Sequence, residues 1–327
     1  MEYKTIGKTG IQVSSLCFGT MSFGGNADEK TSKAMFQRCR EEGINFFDCA
    51  DVYNGGRAEE ILGECITDCR DEVVITSKAG METGSGIHEK GASRRHLFLA
   101  VEKSLKRLKT DRIDFYFIHR FDESTDIEET VRALDDLQRQ GKILYPAVSN
   151  WAAWQIAKAL GISERKSLAG FKLIQPMYNL VKRQAEVELL PLAESENLGV
   201  ISYSPLGGGL LTGKYGVDKR PANGRLVEQE NYQARYQQNS YYETASAFNQ
   251  YAKELGVSPT SLAVAWVAKN KAITAPIIGA RNLEQLEDSL GSLAVSLKEE
   301  QWEEISSLSF DPPLATDHSK NELIFKK

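Results

Sequence analysis

The sequence predicts an α/β fold: a (β/α)8 TIM barrel with an N-terminal β-hairpin plug and an insertion after its seventh strand. Three observations carry that expectation. Eight short apolar runs punctuate the chain: SSLCFGT, INFFDCA, EVVITSKA, RIDFYFIHR, ILYPAVSN, FKLIQPMYN, GVISYSPL and APIIGA. Each lacks polar alternation, as parallel strands buried on both faces do. Their ends fall near Gly19, Asp48, Lys78, His119, Asn150, Tyr178, Ser204 and Gly279, at intervals of 26 to 41 residues save the last, of 75; a βα unit of such a barrel averages about 31 residues. The first βα turn reads FGTMSFGG, where a doubly wound dinucleotide-binding sheet would carry GxGxxG.

Taken in order, YKTIGKTGIQVS predicts a hairpin turning at Lys8-Thr9-Gly10, placed to close the barrel's N-terminal mouth. Between the runs lie amphipathic stretches such as SRRHLFLAVEKSLKRLK, with Ser93 as its N-cap, and IEETVRALDDLQRQGK, stopped at Gly141. The long last interval opens with a polar, tyrosine-rich insertion from Gly207 to about Tyr242 that holds Tyr215, Tyr232, Tyr236, Tyr241 and Tyr242. It falls on the C-terminal side, where insertions serve the site. The 327 residues are expected to form one domain, 1–327.

Composition narrows the function. Lys and Arg number 40 against 45 Asp and Glu, a net charge of -5, so no global positive field exists to hold a phosphate backbone and no nucleic acid partner is expected. The opening MEYKTIGKTGIQV is polar and alternating, unlike a signal peptide, and no run of 18 apolar residues occurs. A cytoplasmic protein without a membrane partner is expected; the oligomeric state is not legible. The five cysteines lie between Cys17 and Cys69 with no CxxC pair, which predicts core thiols and no metal. Cys65 and Cys69 stand four apart but lack companion ligands, and His88-Glu89 is not HExxH because position 92 is Ala.

Three ionisable residues terminate otherwise apolar strands: Asp48 after INFF, Lys78 after VVITS and His119 after FYFI, with Tyr53 five residues beyond Asp48. Burying any of these charges alone is costly, so they are expected to meet at the barrel's mouth and compensate one another. An ammonium about 4 Å from a phenol is worth about 4 kcal/mol at an effective dielectric of 20, or about three pKa units. On that reasoning Lys78 should draw Tyr53 towards neutrality, Asp48 should keep Lys78 charged, and a neutral His119 should orient a carbonyl oxygen or share the proton relay. The set suits protonation of a carbonyl oxygen as a hydride arrives. The alternative of Lys78 as a Schiff-base lysine does not require Tyr53.

With these motifs in view the sequence resembles the aldo-keto reductases, NADPH-dependent oxidoreductases on a (β/α)8 barrel. The likeness runs from FGTMSFGG through GINFFDCADVYNGGRAEEILGE, SLKRLKTDRIDFYFIH, GKILYPAVSNW, QPMYNLV, ISYSPLGGGLLTGKY and PIIGARNLEQLEDSL. It implies a catalytic tetrad of Asp48, Tyr53, Lys78 and His119, with Tyr53 as proton donor. It implies NADP(H) as cofactor: Ser149, Asn150 and Gln175 on the nicotinamide carboxamide, Tyr203 stacked on its ring, and Ser204, Leu206, Gly208 and Lys214 along the pyrophosphate. Gly279, Arg281, Gln285 and Asp288 would lie at the adenosine end, Arg281 on its 2′-phosphate. Asp288 and Ser289 replace the family's usual Glu and Asn, Pro146-Ala147 its Ile-Gly, and Arg120-Phe121 its Trp-Pro or Arg-Pro. Met21, Phe23 and Trp151 are expected to wall the substrate pocket. The expected activity is reversible reduction of aldehydes or ketones, with a small-molecule carbonyl or alcohol as partner. The alternative is a cofactor-sensing regulatory subunit of little turnover, since shaker-type potassium channel β subunits share this barrel.

Overall fold

Residues 1–314 and 316 are described by the structure, a computed structural model. The chain opens with a hairpin, β1 (Tyr3–Thr5) and β2 (Gln12–Ser14), paired antiparallel with Thr5 opposite Gln12. Eight strands follow: β3 (Cys17–Gly19), β4 (Phe46–Asp48), β5 (Val74–Ala79), β6 (Ile113–Ile118), β7 (Ile143–Ser149), β8 (Leu173–Gln175), β9 (Gly199–Ser202) and β10 (Ala275–Ile278). Every pairing among them is parallel, each strand lies beside its sequence neighbours, and β10 closes on β3. This is the (β/α)8 barrel that the spacing of apolar runs predicts, with its hairpin.

Helices separate the strands. They are α1 (Glu29–Glu41), α2 (Arg57–Ile66), α3 (Arg94–Leu108), α4 (Ile127–Arg139), α5 (Ala153–Lys166) and α6 (Leu189–Glu196), then α7 (Arg225–Glu228), α8 (Glu230–Arg235), α9 (Asn239–Leu255) and α10 (Pro259–Lys269) in the long last interval, with α11 (Leu283–Leu290) and α12 (Glu299–Ser307) after β10. Ser93 caps α3, accepting from the His96 N–H, and Gly141 follows α4 at φ 72°, a left-handed turn that glycine takes without a Cβ penalty. Among the described residues no helix is long and apolar enough to cross a membrane.

Two cores result from strand alternation. Phe46, Phe115, Phe117, Ala147, Leu173 and Ile201 pack inside the barrel, while Phe47, Tyr116, Ile118 and Val148 face the helices. Ile6 and Val13, fully buried, carry the hairpin into the inner cluster. Gly199 permits this approach, because a Cβ there would lie 2.5 Å from the Ile6 side chain. Since side chains of one strand alternate between faces, the residue two beyond each inner position also points inward. At the C-terminal mouth those residues include Gly19, Asp48, His119, Ser149, Gln175, Tyr203 and Gly279.

Two boundaries differ from expectation. β8 stops at Gln175, before Pro176, which has no N–H to give to the ladder. Tyr178 therefore leaves the barrel and is buried against Trp266, its hydroxyl donating to Glu186 at 2.6 Å. The insertion is also shorter than its tyrosines suggest, since Tyr241 and Tyr242 already lie on α9.

Behind β4, buried Glu59 accepts from Ser77 and pairs with Arg107 at 2.7 Å, while Oδ1 of neighbouring Asp51, also buried, has no partner. Burial, then the Glu59 charge, push the Asp51 carboxyl up to about 7. Between the unfolded value of about 4 and this folded value, only the folded chain keeps the proton, so stability falls as pH rises through that window, by up to about 4 kcal/mol. Asp51→Asn should remove the fall: urea unfolding at pH 5 and pH 8 is expected to show the variant gaining on the parent at the higher pH.

Candidate active site

Lys78 and Asp48 meet at the mouth because β4 and β5 are neighbours: Asp48 stands opposite Thr76, and Lys78, two residues further along β5 on the same inward face, donates back to it. Lys78 is fully buried; its Nζ donates to Asp48 Oδ1 and Oδ2 at 2.7 and 2.6 Å and to the Cys49 carbonyl at 2.8 Å. The Tyr53 hydroxyl lies 3.3 Å from the same Nζ. Thr76 and Gln175 also donate to Asp48, at 2.7 and 2.8 Å. The carboxylate is thus satisfied on every side, and although burial, the largest single influence, pulls the Lys78 ammonium down, Asp48 and Tyr53 together raise it and keep it charged.

Tyr53 reaches this pair from a turn, and the turn is unusually constrained. Asn54, Gly55 and Gly56 have φ of 49°, 64° and 92°, three consecutive left-handed residues. The Asn54 amide donates to the carbonyls of Met21 and Phe23 at 2.9 and 2.8 Å, tying the turn to the loop after β3. Sequence reasoning missed Asn54; the NGG that follows the tyrosine was its signal, since Asn and Gly are the residues that tolerate this conformation.

The expected lowering of the phenol is overturned. Burial raises Tyr53 first, Lys78 lowers it and Asp48 raises it again, leaving the hydroxyl at about 12. Coulomb attraction to Lys78 is real, but burial of the phenol outweighs it and Asp48 offsets part of it. Tyr53 is therefore a phenol held protonated, with an ammonium placed where it would stabilise a phenolate.

His119 stands edge-on to Tyr53, ring centroids 5.9 Å apart at 83°. Burial, then Lys78, lower its pKa to about 3, so the imidazole is neutral, as expected. Its Nδ1 is buried without a partner. The ring can orient an oxygen by hydrogen bonding but carries no exchangeable charge at ordinary pH.

These groups open on a cavity of about 970 Å³. Its wall includes Ser149, Asn150, Gln175 and Tyr203, and, further along, Ser204, Leu206, Gly208 and Lys214. Gly279, Arg281, Gln285 and Asp288 line the far end. Asn150 and Ser204 have φ of 58° and 60°, strained conformations of the kind that gather at sites. The Tyr203 hydroxyl donates to Asn150 at 2.7 Å, and the Asn150 amide donates to the His119 carbonyl at 3.0 Å, locking three strand ends together. Gly208 is required by packing: a Cβ there would lie 2.9 Å from the Tyr232 ring.

The cavity wall departs in two places from the substrate lining that the sequence leads one to expect. Met21 lines the cavity, but Phe23 and Trp151 do not. Phe23 is fully buried against Phe18, and Trp151 packs edge-on between Phe121 and Phe171. Both are large apolar rings whose burial in the outer core outweighs exposure in a wet mouth. In their place stand Met81 and Arg120. From the insertion come Tyr232, Arg225 and Arg235, the two guanidiniums 5.5 and 5.2 Å from the Tyr232 ring. No periodicity marked these residues, because α7 and α8 are too short to show one.

The family profile described as "Aldo/keto reductase family" matches residues 15–309. Among individual proteins, the chain is 39% identical over 302 residues to a "Probable voltage-gated potassium channel subunit beta" of Arabidopsis thaliana, covering 90% of this chain and 92% of that protein. A rice protein of the same description is 40% identical over 303 residues, again 90% and 92%. The "Uncharacterized oxidoreductase YrpG" of Bacillus subtilis (strain 168) is 38% identical over 315 residues, 92% of this chain and 93% of that protein.

Proposed function

Because the chain belongs to the aldo/keto reductase family, we propose that it reduces aldehydes or ketones to alcohols with NADPH, and that Tyr53 is the proton donor. The observation that carries this reading is the 3.3 Å contact of the protonated Tyr53 hydroxyl with an ammonium that Asp48 keeps charged. Five cations line the cavity, Arg120, Lys214, Arg225, Arg235 and Arg281, and none forms an ion pair with a described carboxylate. The arginines of the outer helices, by contrast, pair freely, as Arg57 does with Glu60 and Arg132 with Glu128. A cavity of this size with several unpaired cations at one end fits a phosphorylated dinucleotide.

When bound, the reduced nicotinamide supplies a hydride to the carbonyl carbon. Tyr53 gives its proton to the carbonyl oxygen, so a C–H and an O–H bond replace the C=O π bond, and the phenolate left behind faces Lys78 before it takes a proton from water. Neutral His119 orients the oxygen. Ser149, Asn150 and Gln175 would hold the carboxamide and Tyr203 the ring face. Purified protein should oxidise NADPH at 340 nm when given an aldehyde and ketone panel. Binding without turnover across the panel would instead favour the regulatory reading, to which the description of the plant relatives gives weight.

Cofactor preference follows from Arg281. A hydrogen bond to a charged group contributes about 1.5–3 kcal/mol, about 10- to 100-fold in affinity. Arg281→Met is expected to weaken NADPH by that factor and NADH hardly at all, as read by quenching of tryptophan fluorescence.

A further inference from the structure

We propose that Arg120 selects carbonyl substrates that carry an anionic group, a carboxylate or a phosphate monoester. The inference rests on the reductase reading and goes one step past it, to the class of compound reduced.

The argument is one of position and charge. Of the ionisable side chains that line the cavity, Asp48 is neutralised by Lys78. Lys214, Arg225, Arg235, Arg281 and Asp288 come from the segments after β9 and β10. Arg120 follows β6, which in the closed strand order stands four strands from β10, diametrically across the barrel. The four cations on the far side account for a phosphorylated dinucleotide, and Arg120 is left over. It directly follows His119, shares its end of the cavity with Met21, Met81 and Tyr53, and is exposed.

Its own turn does not neutralise it. The carboxylate of Asp122 accepts from the N–H groups of Ala92 and Ser124 and from the Ser124 and Thr125 hydroxyls. Asp122 is thereby spent on holding the turn to the loop before α3. Phe121 packs on Trp151 and Trp154, so the backbone that carries Arg120 is anchored on both counts. From that anchored backbone the Arg120 guanidinium, in a cavity wall it shares with apolar Met21 and Met81, can present a planar pair of donors to an anion while the substrate's carbonyl lies at Tyr53.

The test compares matched substrates. 4-Formylbenzoate is set against its methyl ester, and glyceraldehyde 3-phosphate against glyceraldehyde, each with the parent protein, Arg120→Met and Arg120→Lys. In the parent, kcat/KM should favour the charged member of at least one pair, and which pair shows it identifies the anion. Arg120→Met should cut that charged-over-neutral ratio by about 10- to 100-fold, mainly through KM, the loss of a charge-assisted hydrogen bond. Arg120→Lys should restore part of it. Turnover of neutral members with no charge preference in the parent, or a ratio that Arg120→Met leaves unchanged, overturns the proposal alone. Absence of turnover with every member overturns the reductase reading and this inference with it.

Discussion

Tyr53→Phe is expected to lose about two to four decades of carbonyl-reducing rate, the range that a positioned general acid supplies, while its affinity for NADPH stays close to the parent's. Only the transition state uses the proton, so kcat and kcat/KM should fall together. The ring itself contributes edge contact to His119 and carries no ladder hydrogen bond, so the fold should persist. Stopped-time assays at 340 nm with a fluorescence titration of cofactor separate the two quantities, and a variant reducing carbonyls at the parental rate would remove Tyr53 from the chemistry. A companion expectation concerns pH. With the hydroxyl at about 12 and the imidazole at about 3, Tyr53 stays protonated below the first value and His119 neutral above the second. Neither titrates near neutrality, so Tyr53 and His119 should put no inflection into the parent's rate of reduction between about pH 5 and pH 9.

The second large effect belongs to the buried pair. Lys78→Met should cost about 3–5 kcal/mol of stability, because it strands the Asp48 carboxylate inside the barrel, even with Thr76 and Gln175 still donating to it. It should also abolish the support of the phenolate, about 4 kcal/mol at an effective dielectric of 20 or close to a thousandfold in rate. Asp48→Asn combined with Lys78→Met removes both charges and should recover much of the stability without recovering turnover. Urea unfolding and NADPH oxidation on the two single variants and the double variant read these effects apart. If the double variant were no more stable than Lys78→Met alone, the stranded charge would not be the cause of the loss.

The barrel was legible because its signal is repetitive: eight apolar runs at near-regular spacing leave little choice of topology. The strand-end groups were legible for a related reason, since a charge at the end of INFF or VVITS has nowhere to go but the mouth. What escaped was local or competitive. The pKa of Tyr53 depends on how burial, Lys78 and Asp48 balance at fixed distances, which residue types alone do not state. Phe23 and Trp151 sit beside motif residues in the chain yet turn to the outer core, because a neighbour in sequence faces the opposite side of the wall. Arg225 and Arg235 came from an irregular insertion with no period to read, and Arg120 stood where only the emptiness of its surroundings distinguishes it.

The proposed reactive trio of Asp48, Lys78 and His119 is borne by the barrel staves or the residue just past them, whereas Met21, Met81 and Arg120 sit on the rim beyond. On the proposed reading, chemistry and taste are carried by separable parts of the chain. Exchanging rim segments offers a route to new clientele for this scaffold without retuning its acid, whereas a single-residue shift within a stave would swap an inner group for an outer one and silence it for every customer at once.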